Sequence, residues 1–125
     1  MKKYIIKFYY STGNSFKIQD EEDCLEMSWN NLDIAKENIK AIKEHYQMYE
    51  KLDDFRYDRN KLKESNKDKW WFVDTDYYPF DECMKLKADN GNLMQQWNPW
   101  CGYFETLYSI EIEVNDPEMK FINKV

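Results

Sequence analysis

The sequence predicts an α+β fold, with one long amphipathic helix packed on an antiparallel β-sheet in the rough order ββ-α-ββββ. Three observations carry that expectation. Alternating runs rich in β-branched and aromatic residues occupy both ends of the chain, a single long stretch of helical periodicity lies between them, and turn-forming residues punctuate the strands. The chain of 125 residues shows no internal repeat, low-complexity segment or linker, so residues 1–125 are read as a single domain.

The elements follow in order. Residues 3–10 (KYIIKFYY) have strand composition, Ser11-Thr12-Gly13-Asn14 supplies a turn, and residues 15–18 return as the second arm of a hairpin. The acidic run Asp20-Glu21-Glu22-Asp23 is expected to be a solvated loop, followed by alternation of Leu25, Met27 and Trp29. A helix is predicted over 31–56. Asn30 is its expected N-cap, Trp29 and Ile34 its hydrophobic staple, and Ala35, Ile39, Ile42, Tyr46 and Tyr49 its apolar stripe. Lys40 and Glu44 form an expected i,i+4 pair, and His45 falls on the flank of the stripe.

Residues 57–69 are mostly charged and suit a solvated connection or a helical extension; Trp70-Trp71-Phe72-Val73 reads as a buried strand, and residues 74–82 as a loop. Asn90-Gly91 between alternating Met84–Ala88 and Leu93–Trp97 is the strongest hairpin signal in the chain. Tyr108, Ile110, Ile112 and Val114 alternate with Ser109, Glu111 and Glu113, which marks a half-buried strand. A last short strand is expected at Met119–Ile122.

Composition narrows function. The net charge of −6 disfavours direct binding to nucleic-acid phosphate, which requires clustered Lys and Arg; it suits solubility first, and a basic protein partner as the sharper alternative. No apolar run approaches the roughly 18 residues of a membrane span. Lys7 interrupts the apolar N-terminal stretch, so no signal peptide is expected and a cytoplasmic location is. Cys24, Cys83 and Cys101 are odd in number and widely spaced, as reduced thiols would be.

Catalytic vocabulary is sparse. Trp100-Cys101-Gly102 begins as a thioredoxin motif does, but position 104 is Phe, so there is no second cysteine for dithiol exchange. Cysteine or histidine at zinc-ligand spacing is missing, and no local signature supports a Cys–His pair with His45. The best enzymatic candidate is Asp74-Thr75-Asp76, a carboxylate pair at the end of an apolar run, where a hard cation such as Mg²⁺ could be held with help from Asp81 and Glu82. No cofactor is expected, and a non-enzymatic protein is favoured.

Aromatic residues are the more informative class. Five Trp and ten Tyr exceed what a domain of this size readily buries, because indole and phenol tips need polar partners. Trp97, Trp100, Tyr103 and Phe104 are therefore candidate contact residues, with Asp20, Glu21, Glu22 and Asp23 as a negative patch facing a basic protein. Three segments, Tyr9–Phe16, Asn38–Tyr46 and Trp100–Tyr108, resemble small uncharacterised proteins encoded by bacteriophages and prophages. The resemblance implies no activity or catalytic residue. It implies a modulator or inhibitor of a host or defence protein acting by contact, in the host cytoplasm. The alternatives are a protein that sequesters a nucleotide-like ligand and a metal-dependent enzyme using Asp74 and Asp76. The oligomeric state stays open, a homodimer included.

Overall fold

The computed structural model describes residues 3–14, 17–52, 54, 56–75, 80–97 and 104–115. Seven elements follow in chain order: β1 (Lys3–Asn14), β2 (Lys17–Trp29), α1 (Leu32–Leu52), α2 (Arg59–Asn66), β3 (Cys83–Lys87), β4 (Leu93–Trp97) and β5 (Phe104–Asn115). The expected fold class holds: one long helix with antiparallel sheets. The strands form two sheets, a three-stranded one in the order β2-β1-β5 and the two-stranded β3-β4.

Alternation sorts the large sheet into two faces. Tyr4, Ile6 and Phe8 of β1 join Ile110 and Ile112 of β5, and Leu25, Met27 and Trp29 of β2, in the core. Helix α1 lies against this face through Ala35, Ala41, Ile42 and Met48, and the small sheet adds Met84 and Leu86. Ile5, Lys7 and Tyr9 alternate with the core residues and so point to the opposite, outer face.

Several local expectations are corrected. Asp20–Asp23 is not a loop but part of β2, in continuous register with Ser11 to Phe8 of β1. Charge does not prevent strand formation here because the hairpin partner supplies the backbone hydrogen bonds. The cap of α1 is Asn31 rather than Asn30: its Oδ1 accepts from the backbone N–H groups of Asp33 and Ile34. Helix α1 stops at Leu52, short of the expected residue 56, and Asp54 turns back to the carbonyl of Lys51. The charged stretch after it forms a separate helix, α2, capped by Asp58 and anchored by buried Leu62.

Trp71–Val73 is buried as expected and Trp70 partly so, but the segment is not a strand. Turns run from the Asn66 carbonyl to the Lys69 N–H and from the Lys69 carbonyl to the Phe72 N–H, so the segment enters on turn hydrogen bonds and not on a strand ladder, with Trp71, Phe72 and Val73 buried in succession. One link to the small sheet remains, where the Trp71 carbonyl accepts from Lys85 N–H at 2.8 Å. The hairpin turn behaves as its sequence requires, with Gly91 at a φ of +86°, a conformation that costs glycine nothing. The strand expected at Met119–Ile122 lies outside the described residues.

The buried stripe of α1 is centred on Asn38 and His45 as well as on apolar residues. Asn38 pairs with the Lys87 backbone in both directions, Nδ2–H to the carbonyl at 2.9 Å and Oδ1 from the N–H at 2.8 Å. The same carbonyl accepts the Trp29 indole N–H at 2.7 Å. Helix, large sheet and small sheet thus meet at one backbone residue, and each buried polar group there is satisfied.

Candidate functional site

The outer face of the large sheet is where charge gathers. Residues directly opposite one another on neighbouring strands share a face. Lys7 lies opposite Cys24 and Glu111, Tyr9 opposite Glu22 and Ser109, and Ile5 opposite Ser28 and Glu113. Asp20, Glu22, Glu111 and Glu113 are all exposed. Lys7 at the centre reaches Glu22 at 3.5 Å and Glu113 at 3.9 Å, and its ammonium sits 5.5 Å from the centroid of the Tyr9 ring. Desolvation opposes its charge, but Glu22, Tyr9 and Glu113 outweigh that and raise its pKa above the ordinary lysine value.

Tyr108 completes the surface. The register of β5 against β1 slips between Tyr9 and Tyr10, whose partners are Ser109 and Leu107, so Tyr108 is the extra residue of a bulge. Its ring is 57% exposed, and its hydroxyl donates to Asp20 at 3.1 Å. Because β5 and β2 flank β1, that bond crosses the central strand, and Ser11, opposite Asp20 in register, is only 3% exposed. Leu107, on the other side of the bulge, gives its N–H to the Tyr46 hydroxyl of α1 at 3.0 Å.

The residues singled out from the sequence are partly brought together. Asp20 and Glu22 lie on this face; Glu21 and Asp23 are placed by backbone register opposite Tyr10 and Phe8. The backbone of Phe104 pairs with Thr12, which also pairs with Gln19, so Phe104 enters the sheet at the end where Asp20 stands. Trp97 belongs to the other sheet, opposite Cys83. Trp100 and Tyr103 lie outside the described residues, as does Cys101. Tyr108, Glu111 and Glu113 join this exposed face without having been singled out from the sequence. Their alternation was legible, but not that they share a face with the acidic run.

The other candidate chemistries look different in place. Asp74 is ion-paired with Lys63 at 2.8 Å, Asp81 accepts from Arg59 at 2.9 Å, and Asp76 lies outside the described residues. Among the described residues no three His, Cys, Asp or Glu side chains gather as metal ligands would. His45 is not at the flank of its helix but fully buried, edge-on to Trp71 at 5.4 Å. Burial pushes its pKa down to about 4, against the opposing pull of Asp81 and of the Phe80 and Cys83 backbone. Burial also pushes the buried Cys83 thiol up, helped by Glu82 and Asp81 and opposed by Gln95. Both shifts favour the neutral forms, the opposite of the thiolate–imidazolium pair that nucleophilic catalysis uses.

A cleft of about 390 Å³ lies beside α1, lined by Glu37, Lys40, Glu44, Lys69, Trp70 and Lys87 among others. Much of its charge is internally matched. Lys87 binds Glu37 at 2.8 Å and sits 4.7 Å from the Trp70 ring centroid. Glu44, expected to pair with Lys40, instead accepts the Trp71 indole N–H at 2.8 Å and lies 3.9 Å from Lys69. Trp71, His45, Phe72 and Phe80 form an aromatic cluster in the core beneath, so these aromatics serve packing.

Comparison with known proteins finds no matching family model, no matching curated protein and no matching solved structure. Among the described residues, no helix is long and apolar enough to cross a membrane.

Proposed function

We propose that this protein works by contact, using the outer face of its large sheet to bind a basic segment of another protein. The observation that carries the reading is the exposure of Asp20, Glu22, Glu111 and Glu113 on one sheet face, around Lys7 and beside exposed Tyr108. Four carboxylates against the two ammonium groups of Lys7 and exposed Lys3 leave a negative surface that attracts Lys and Arg and repels acidic proteins. An exposed Tyr offers an anchor with apolar area and a hydroxyl, and a sheet holds both in fixed geometry. The resemblance to small phage-encoded proteins makes a host or defence protein the partner class to screen first, with inhibition by occlusion as the mode of action.

The test is charge reversal on the sheet face. Asp20→Lys/Glu22→Lys/Glu111→Lys/Glu113→Lys should retain a cooperative thermal transition, because all four positions are exposed, and should lose capture of any partner recovered by the wild-type chain from host cells. Undiminished capture by the folded variant would remove this face from consideration.

A further inference from the structure

The large sheet ends on one side in β2, whose outer edge has no strand partner among the described residues. From Lys17 to Cys24 the register of β2 with β1 runs without a break, giving eight residues, or about 26 Å, of straight edge. The break comes next: Cys24 is opposite Lys7 and Ser28 opposite Ile5, so three residues of β2 face one of β1. Immediately past this bulge a groove of about 380 Å³ opens between β2 and the β3–β4 turn. Met27, Trp29, Ala88 and Met94 give it an apolar lining, with Ser28 and Asp89 among its polar members. Asp89 is already committed, its carboxylate accepting from the backbone N–H groups of Asn30 and Asn31.

A straight sheet edge with no strand partner among the described residues is a template for another strand unless something discourages it. Here the edge carries Asp20, Glu21, Glu22 and Asp23 in succession, so a second copy of β2 would meet like charge. The same charges favour a basic strand. Resting on the contact reading above, the geometry points to strand addition. An extended segment of the partner, with Lys or Arg at alternating positions over Asp20 and Glu22, pairs with the β2 edge from Lys17 to Cys24. An apolar residue at its end seats in the Met27–Trp29–Met94 groove. Main-chain hydrogen bonds supply affinity, and the alternating side chains supply selectivity.

The probe is a synthetic ten-residue peptide of alternating Lys and Val carrying a terminal Leu. Two versions are N-methylated on alternate residues, one set blocking each backbone edge, and a further version replaces Leu with Ser. Binding to the whole chain is followed by calorimetry and by amide hydrogen exchange. Strand addition predicts at least tenfold slower exchange within Lys17–Cys24 on binding. One of the two N-methylated peptides should bind at least tenfold more weakly. The advantage of Leu over Ser should disappear in Ser28→Arg, which plugs the groove from an exposed position. Equal binding by both N-methylated peptides, with no protection in β2, would overturn strand addition while leaving charge-driven contact standing. Failure of every basic peptide to bind would remove both. A Leu advantage that persists in Ser28→Arg would remove the groove from the proposal.

Discussion

At the scale of single residues, the fold is organised by polar groups placed inside it. Asn38 satisfies both backbone groups of Lys87, and Trp29 shares the same carbonyl. His45 sits in the core as a neutral ring against Trp71. A sequence pattern finds a helix face by its apolar residues, so it marks the helix but neither the burial of Asn38 nor the full burial of His45. Their partners lie 49 and 26 residues away in sequence, and nothing local announces them. The titration of His45 gives a prediction of definite sign. The unfolded chain takes up its proton below about pH 6.5, the folded chain not until about pH 4, so the neutral-core arrangement contributes fully above 6.5 and loses ground as pH falls toward 4. That interval corresponds to roughly 3 kcal/mol. The imidazole resonance should stay at its neutral position from pH 7 to pH 5 by NMR; a midpoint near 6.5 in the folded protein would refute the burial argument.

At the scale of elements, the boundaries were set by partners distant in sequence. The acidic run reads as a loop because four consecutive carboxylates suit solvent. In the structure Asp20 to Asp23 pair through their backbone with β1, and the side chains of Asp20 and Glu22 are exposed, so strand pairing and solvation of these two charges are met together. Trp70–Val73 has strand composition, but the turns that follow α2 leave it no straight path. The hairpin at Asn90-Gly91, whose determinants are adjacent, was legible almost to the residue. The start of α1 shows both cases, since Asn31 caps locally while Asp89 reaches across from the β3–β4 turn to the N–H groups of Asn30 and Asn31. A carboxylate there also complements the positive end of the helix. Asn31→Ala should cost about 1 kcal/mol of stability. Asp89→Ala should cost a similar amount or more, since it removes charge-assisted bonds, on the order of 1–2 kcal/mol. Urea denaturation of the two variants and their double mutant checks this; additive losses would mean that the two caps act independently.

At the scale of the whole molecule, one face of the large sheet builds the core and the other presents charge. Helix α1 and the small sheet cover the first, through Ile6, Phe8, Trp29 and Ile110. The second was only half legible. The sequence singled out Asp20 to Asp23, but the partnership of Asp20 with Tyr108, 88 residues away, depends on strand order and a bulge. No periodicity encodes a register between strands so far apart. Of the aromatic candidates Trp97, Trp100, Tyr103 and Phe104, Trp100 and Tyr103 lie outside the described residues, while other aromatics, Trp71 and Phe72 among them, belong to the core. The structure shows a sheet-mounted face with exposed carboxylates, and the contact proposed for it is electrostatic and therefore sensitive to salt.

That sensitivity gives the most direct measurement. The alternating Lys–Val peptide should be titrated into the wild-type chain and into Asp20→Asn/Glu22→Gln/Glu111→Gln/Glu113→Gln, at 50 mM and at 300 mM NaCl. The account predicts that neutralising the face weakens binding at least tenfold at low salt. Raising the salt should weaken the wild type by a similar factor and the variant much less. Equal affinities for the two proteins at 50 mM, or a wild-type affinity indifferent to salt, would contradict it.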